Sequence, residues 1–158
     1  EPFFVHLPDD LIKADTGCLA QMSKAFAGHG NSLIAVEDVP REKTSSYGIV
    51  AVDDELRVQQ IIEKPAPADA PSPLAVVGLY LLKPLIFDKI KTTGRGAGGE
   101  ILLTDAIADL LADETVRAYR FDGVRYDCGI KLGYVQANLV YALQDPILAK
   151  GLRGVAST

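Results

Sequence analysis

The sequence contains few cysteines and no long apolar segment, and these two absences narrow the classes of protein that fit it. Its 158 residues include only Cys18 and Cys128, which are too few for a disulfide framework and lack the Cys-x-x-Cys spacing of a zinc site. We therefore expect reduced thiols and a cytoplasmic protein. The uninterrupted apolar runs are far shorter than the ~20 residues that cross a bilayer, so we expect no membrane partner.

The sequence also lacks a run of basic residues. The formal net charge is -5, and basic residues such as Lys24, Arg41 and Lys43 are scattered among acids. A domain that binds duplex nucleic acid usually carries a basic stripe, so we expect no nucleic-acid partner. An anionic substrate still fits this composition, because it requires only a local positive pocket.

Familiar catalytic signatures are absent as well. His6 and His29 are isolated, and we find no Ser-His-Asp or Cys-His arrangement. The glycine-rich segment 94–99 is not followed by the Gly-Lys-Ser/Thr of a Walker A loop. Its backbone N–H groups could bind an anion at the start of the next helix, and a flexible connector fits the segment equally well.

Apolar patterning predicts strands that alternate with helices. Strands are predicted over 3–7, 32–39, 47–52, 56–62, 74–82 and 116–121, and helices over 16–30, from Pro84, over 100–111 and over 131–143. Residues 53–55 predict a hairpin, which is the one departure from the alternation. This pattern favours a single α/β domain over 1–158, with a mostly parallel sheet and helices on both faces.

Two details of this prediction concern the ends of the chain. The strand at 3–7 is nearly continuous in apolar residues, which is typical of a strand buried on both faces, so we expect missing residues upstream. The helix at 131–143 is expected to turn one apolar face inward. That face consists of Leu132, Val135, Leu139 and Leu143.

Acidic residues follow two of the predicted apolar segments. Asp9 and Asp10 come directly after the first strand, and Asp127 lies in a predicted turn before the last helix. These carboxylates could be solvated surface groups, and Asp127 could cap the helix. They could also hold Mg²⁺, which takes one or two carboxylates and completes its shell with water and substrate phosphates.

A second candidate site residue pair ends the strand at 56–62. Glu63 and Lys64 could form a solvated ion pair, or Lys64 could contact a phosphate while Glu63 accepts hydrogen bonds from sugar hydroxyls. Gly48 and Gly78 mark places where the backbone could approach a ligand closely, although both could simply serve packing or a bulge.

Several short motifs follow one another in a specific order and extend over nearly the whole chain. The motifs are Leu7-Pro8-Asp9-Asp10, Ser46-Tyr47-Gly48-Ile49-Val50, Ile62-Glu63-Lys64-Pro65, Val77-Gly78-Leu79-Tyr80, Gly98-Gly99-Glu100-Ile101-Leu102-Leu103-Thr104-Asp105-Ala106-Ile107, Arg125-Tyr126-Asp127-Cys128-Gly129 and Lys131-Leu132-Gly133-Tyr134. Their order and wording resemble one bacterial enzyme family, the UTP–glucose-1-phosphate uridylyltransferases. The chain resembles the carboxy-terminal, sugar-phosphate-binding part of a single nucleotidyltransferase domain.

The resemblance implies a Rossmann-like nucleotidyltransferase fold and the synthesis of UDP-glucose and pyrophosphate from UTP and glucose 1-phosphate. Matching the motifs residue by residue implies the site. Asp9 and Asp127 would bind Mg²⁺, Lys64 would hold the sugar phosphate, Glu63 would bind glucose hydroxyls, and the backbones of Gly48 and Gly78 would line the sugar. We also expect a homo-oligomer.

The sequence departs from the family in three respects. Leu79 stands where the family has Arg, and Leu102 stands where it has Gln. The family's amino-terminal glycine-rich triphosphate loop and its uracil-recognising segment would both lie before Glu1. We therefore expect this chain alone to be inactive, and two alternatives stay open: a sugar-phosphate-binding fragment, or a regulatory paralogue without turnover.

Overall fold

The computed structural model of the chain describes residues 1–96 and 99–155, so Ala97 and Gly98 of the glycine-rich segment lie outside the described residues. The strands are β1 (Phe3–His6), β2 (Asp10–Lys13), β3 (Ser32–Asp38), β4 (Gly48–Val52), β5 (Val58–Glu63), β6 (Leu74–Leu82), β7 (Val116–Arg120) and β8 (Val124–Asp127). The helices are α1 (Cys18–His29), α2 (Ile86–Thr92), α3 (Leu103–Leu110), α4 (Lys131–Ala142) and α5 (Pro146–Val155), with a 3₁₀ helix at Arg41–Ser46.

The main sheet has the strand order β5-β4-β6-β3-β7, with β1 also paired to β6. The prediction of a mostly parallel sheet is wrong, because among the described strands only the β3–β7 pair is parallel. The physical reason is the position of β6. β1, β3, β4 and β7 all run in one direction, but β6 follows the loop after β5 without a crossover helix and lies antiparallel between them.

β6 forms the centre of the domain, and all nine of its residues are buried. Its side chains alternate between two hydrophobic clusters, as the pleat of a strand requires. On one face Val76, Tyr80 and Leu82 pack with residues of α2 and α3. On the other face Val77, Leu79 and Leu81 pack with residues of α1. The predicted helices on both faces of an α/β sheet are therefore confirmed.

The first strand is less buried than expected. Phe3 and Val5 pack against the core, while Phe4 and His6 are exposed. The reason is that α1, the helix on the second face, packs mainly on β3 and β6. Burial therefore alternates along β1, whereas the sequence predicted that both faces of this strand are buried.

The last predicted helix forms as α4, but its apolar face points outward. Leu132, Val135, Leu139 and Leu143 are all exposed, which contradicts the expectation that they face inward. The face that packs on β8 contains the small residues Gly133 and Ala137. A Cβ on Gly133 would collide with the carbonyl oxygen of Asp127, so the close approach of helix and strand selects the small residues.

Two short strands were not predicted. β2 and β8 pair antiparallel to form a second, two-stranded sheet that aligns Asp10 with Asp127. In the sequence these segments look like a polar break and a turn, because each is only four residues long. No described helix has both the length and the apolar character that spanning a membrane requires.

A buried glutamine connects α1 to the loop that leads into β8. The Gln21 side-chain amide donates to the carbonyl oxygens of Thr16 at 2.7 Å and Asp122 at 2.8 Å. Its oxygen accepts from the Asp122 backbone N–H at 2.9 Å. This one side chain therefore satisfies three backbone groups from two segments that are distant in sequence.

Replacing Gln21 with Leu should lower the free energy of unfolding by about 2–3 kcal/mol, because buried backbone groups lose their partners. Chemical denaturation of the protein measures the effect. Gln136→Leu, at an exposed position on α4, is the matched control and should change stability by less than about 0.5 kcal/mol. Equal stability of the two variants would show that the Gln21 contacts are unimportant.

Candidate active site

The candidate site lies at a gap along one edge of β6. β3 occupies the other edge of β6, so β1 and β4 share this edge. β1 pairs with residues 79–82 of β6, and β4 pairs with β6 at Ala75. On this edge, between β1 and β4, no described strand lies beside Gly78. The Leu7 N–H donates to the Gly78 carbonyl at 2.7 Å, and the Gly78 N–H donates to the Asp10 carboxylate at 2.8 Å.

Only glycine fits this position. A Cβ on Gly78 would lie 2.5 Å from Asp10 Oδ2 and 2.6 Å from Leu7 Cβ. Because residue 78 has no side chain, the segment after β1 can pass close to the edge of β6 and form hydrogen bonds with the backbone of Gly78. The close approach also fixes the position of Asp9, which lies between Leu7 and Asp10 in this segment.

A buried arginine connects the carboxylates around the gap. The Arg125 side chain is only 6% exposed; its Nε donates to Asp10 and its Nη1 donates to Glu37 at 2.7 Å. Burial opposes the charge of Arg125, but the hydrogen bond and charge of Asp10 outweigh burial and raise the pKa of Arg125. Arg125 is therefore a permanent cation that neutralises the buried Asp10.

The same arginine lies close to Asp127. Its Nη2 is 3.6 Å from Asp127 Oδ2, and its guanidinium stacks 5.0 Å from the centre of the Tyr47 ring. The Tyr47 hydroxyl donates to Asp127 Oδ2 at 3.0 Å. Burial raises the pKa of Tyr47 despite the opposing influence of Arg125, so the phenol keeps the proton that it donates.

Asp9 and Asp127 face each other across the start of the turn after β8. Asp9 Oδ2 and Asp127 Oδ1 lie 3.0 Å and 3.1 Å from the same point, the place where a Cβ on Gly129 would stand. The Cys128 N–H donates to the Asp9 carbonyl at 2.7 Å and ties the two segments together. The described residues contain no group of three or more His, Cys, Asp or Glu side chains arranged to hold a metal ion.

Glu63 and Lys64 stand where β5 ends. Lys64 has a φ of 45°, in the left-handed region that L-residues occupy at a cost of roughly 1–2 kcal/mol. Its N–H donates to the Tyr47 carbonyl at 3.0 Å, and its Nζ lies 3.6 Å from Glu63 Oε1. The hydrogen bond to Tyr47 places Lys64 beside the residue whose hydroxyl contacts Asp127.

One cavity of about 320 Å³ brings these groups together. Its lining includes every site residue named from the sequence, namely Asp9, Gly48, Glu63, Lys64, Gly78 and Asp127. Neither Leu79 nor Leu102, the two departures from the family motifs, is part of this lining. Leu79 instead packs in the cluster beneath α1, which accounts for an apolar residue there.

The sequence analysis did not assign roles to several residues of this cavity. Tyr47, Arg125 and Thr104 all line it, and Asp10 has a structural role distinct from that of Asp9. Tyr47, Arg125 and Thr104 stand inside the motifs that carry the family resemblance, and this was the available signal. Their function depends on contacts between distant segments, which residue type and spacing do not reveal.

Comparison with known proteins defines the class. The model of the nucleotidyl transferase family matches residues 1–143, so the chain belongs to that family. It is 42% identical over 157 residues to a UTP–glucose-1-phosphate uridylyltransferase of Staphylococcus epidermidis, and 46% identical over 150 residues to one of Staphylococcus haemolyticus. These alignments cover 97% and 92% of the chain but 54% and 52% of the relatives.

Solved structures agree with the class. A UDP-glucose pyrophosphorylase complexed with UDP-glucose is 37% identical, with a TM-score of 0.86 over 92% of this chain and 57% of that one. A UTP-bound UGPase from Acinetobacter baumannii is 38% identical, with a TM-score of 0.85 over 99% of this chain and 56% of that one. The chain thus spans about half the length of the relatives that it matches.

Replacing Gly78 with Ala should lower the free energy of unfolding by roughly 1–3 kcal/mol, because the added methyl group overlaps Leu7 and Asp10. Gly28→Ala is the matched control, since a Cβ there would meet nothing within 4 Å. In helix α1 it should raise stability by about 0.5–1 kcal/mol. Chemical denaturation of both variants checks the prediction, and a Gly78→Ala protein as stable as the wild type would contradict it.

Proposed function

We propose that this chain is the sugar-phosphate-binding part of a nucleotidyltransferase that makes UDP-glucose and pyrophosphate from UTP and glucose 1-phosphate. The observation that carries the proposal is the single cavity lined by Asp9, Gly48, Glu63, Lys64 and Asp127. The names of the relatives support the choice of substrates, since proteins so named match nearly the whole chain.

Glucose 1-phosphate would bind through the groups at the end of β5 and at the gap in β6. Lys64 offers an ammonium group on a side chain that is 61% exposed, which can reach a phosphate oxygen. Glu63 offers carboxylate oxygens to sugar hydroxyls, and Gly48 and Gly78 line the same cavity, where their backbones would contact the sugar. Lys64 would contact the nucleophilic phosphate and fix its position.

Asp9 and Asp127 are the residues that would hold Mg²⁺. Their oxygens approach one point, and neither carboxylate is closed off by a short ion pair like the one that occupies Asp10. Two carboxylates with open positions match the preference of Mg²⁺ for a few protein oxygens together with water and phosphate. When bound, the ion would neutralise charge on the phosphates during transfer.

The remaining protein contribution is positioning. An oxygen of the sugar phosphate would form a bond to the α-phosphorus of UTP, while the bond from that phosphorus to the β-phosphate bridging oxygen breaks and pyrophosphate leaves. The attacking phosphate is already ionised, so no general base is required. The isolated histidines agree with this, and the carboxylates and Lys64 in one cavity argue against a regulatory paralogue.

We extend the proposal to the setting of the protein. Cys18 and Cys128 are both free, and burial raises the pKa of Cys18 to about 11, so it stays a thiol in a reducing cytoplasm. The homo-oligomer expected from the sequence is retained as part of the proposal. The exposed apolar side chains of α4 and α5 support it, with Ile147 82% exposed.

The experiment that tests the proposed function is a pyrophosphate-release assay on the full-length protein that contains this chain. UTP, glucose 1-phosphate and Mg²⁺ together should release pyrophosphate and form UDP-glucose, and omission of any one should stop release. Release with another sugar 1-phosphate at the same kcat/KM, or none with glucose 1-phosphate, would refute the proposed substrate.

Lys64→Ala should raise the KM for glucose 1-phosphate about tenfold to a hundredfold, because a charge-assisted hydrogen bond of roughly 1.5–3 kcal/mol is lost. The KM for UTP should change far less. Lys91→Ala, an exposed lysine paired to Asp88 outside the cavity, is the control and should leave both values unchanged. A deficit found mainly in the KM for UTP would show that Lys64 has a different role.

Asp127→Asn should lower kcat by on the order of a hundredfold or more at saturating Mg²⁺, because charge stabilisation of the transferred phosphate is weakened. Binding of Mn²⁺, followed by its electron paramagnetic resonance signal, should weaken as well. Asp54→Asn, in the exposed β4–β5 turn, provides the control. Near-normal kcat and Mn²⁺ affinity in Asp127→Asn would overturn the metal assignment.

A further inference from the structure

One buried hydroxyl group on the cavity wall has no hydrogen-bond partner among the described residues. Thr104 is only 6% exposed, and its hydroxyl oxygen makes no hydrogen bond. Among the residues that the structure describes, Arg117 Nε is the other buried side-chain atom in this condition, and Arg117 lies outside the cavity. Buried hydroxyls in native proteins nearly always have a partner, so this exception requires an explanation.

The position of Thr104 in its helix explains why its own backbone supplies no partner. A threonine inside a helix commonly donates to the carbonyl four residues earlier. Thr104 lies in the first turn of α3, and the carbonyl four residues earlier belongs to Glu100, outside the helix. That carbonyl accepts the Gly96 N–H at 2.9 Å instead.

The surroundings of Thr104 show what a partner would meet. Its methyl carbon lies 3.1 Å from the point where a Cβ on Gly48 would stand, and Glu63 Oε2 lies 3.4 Å from that same point. The Thr104 methyl group and the Glu63 carboxylate therefore lie on the same side of Gly48, and both residues line the cavity. The carboxylate can only accept hydrogen bonds, whereas the hydroxyl can both donate and accept.

We propose that the Thr104 hydroxyl binds a hydroxyl group of the hexose and helps to determine which sugar phosphate the site accepts. This inference rests on the proposed function of the cavity. A sugar hydroxyl that donates to Glu63 keeps lone pairs that can accept from Thr104, or a neighbouring hydroxyl can do so. A sugar without that hydroxyl leaves the threonine unpaired, and such a site discriminates strongly.

The test compares the wild-type full-length protein with two variants, using glucose 1-phosphate and its 2-, 3-, 4- and 6-deoxy analogues as substrates. Thr104→Val keeps the shape and removes the hydroxyl, whereas Thr104→Ser keeps the hydroxyl. Thr104→Val should lower kcat/KM for glucose 1-phosphate about 5- to 20-fold without changing the KM for UTP. Thr104→Ser should remain within about twofold of the wild type, since its hydrogen bond survives.

The analogues identify the hydrogen bond itself. One deoxy sugar phosphate should be used equally well by the wild type and by Thr104→Val, because the sugar hydroxyl and the threonine hydroxyl are partners. The melting temperature of Thr104→Val should not fall, since no protein contact is lost. If the melting temperature does fall, Thr104→Ala and Thr104→Ser are compared on the same analogues. One deoxy sugar phosphate should then be used equally well by these two variants.

Two results would overturn the inference. One is a Thr104→Val protein with unchanged kcat/KM for glucose 1-phosphate, and the other is an equal relative loss on every analogue in wild type and variant. Failure of the proposed function is seen separately, as a wild-type protein that releases no pyrophosphate. Calorimetric binding of glucose 1-phosphate then decides: weaker binding to Thr104→Val supports the role of Thr104, and equal binding refutes it.

Discussion

The structure depends on how the backbone of β6 is satisfied at Gly78. A buried strand needs partners for its N–H and carbonyl groups. At Gly78 neither β1, which pairs with residues 79–82, nor β4, which pairs at Ala75, supplies them. Leu7 and the Asp10 carboxylate supply those partners. A buried carboxylate in turn requires a cation, which is Arg125. The same gap in the sheet is what leaves space for the cavity.

This arrangement links stability to the proposed chemistry. Asp10 and Asp127 are opposite each other in the β2–β8 ladder, so the buried Arg125 contacts the first and lies near the second. Asp9 lies in the segment from Leu7 to Asp10 that packs against Gly78, and Asp127 accepts a hydrogen bond from Tyr47. The carboxylates proposed to bind a metal are therefore fixed by neighbours that themselves serve the fold. Phosphoryl transfer depends on such positioning.

The sequence predicted elements better than their arrangement. The apolar run of β6 and the hairpin of β4 and β5 were evident, because local patterning encodes them. Strand direction was not, since it depends on which strands pair. The buried face of α4 was also wrong: Gly133 allows a closer approach to β8 than leucines would. In the site, residue types indicated Asp9 and Lys64, but the roles of Arg125 and Tyr47 required the tertiary contacts.

The central claim is that a divalent cation and a sugar phosphate share the cavity at the β6 gap. The direct test is the ³¹P NMR spectrum of UDP-glucose bound to the full-length protein with Mn²⁺, whose unpaired electrons broaden the signals of nearby phosphorus. The account predicts strong broadening in the wild type that is largely lost in Asp9→Asn. Broadening that is absent in the wild type, or unchanged in Asp9→Asn, would contradict it.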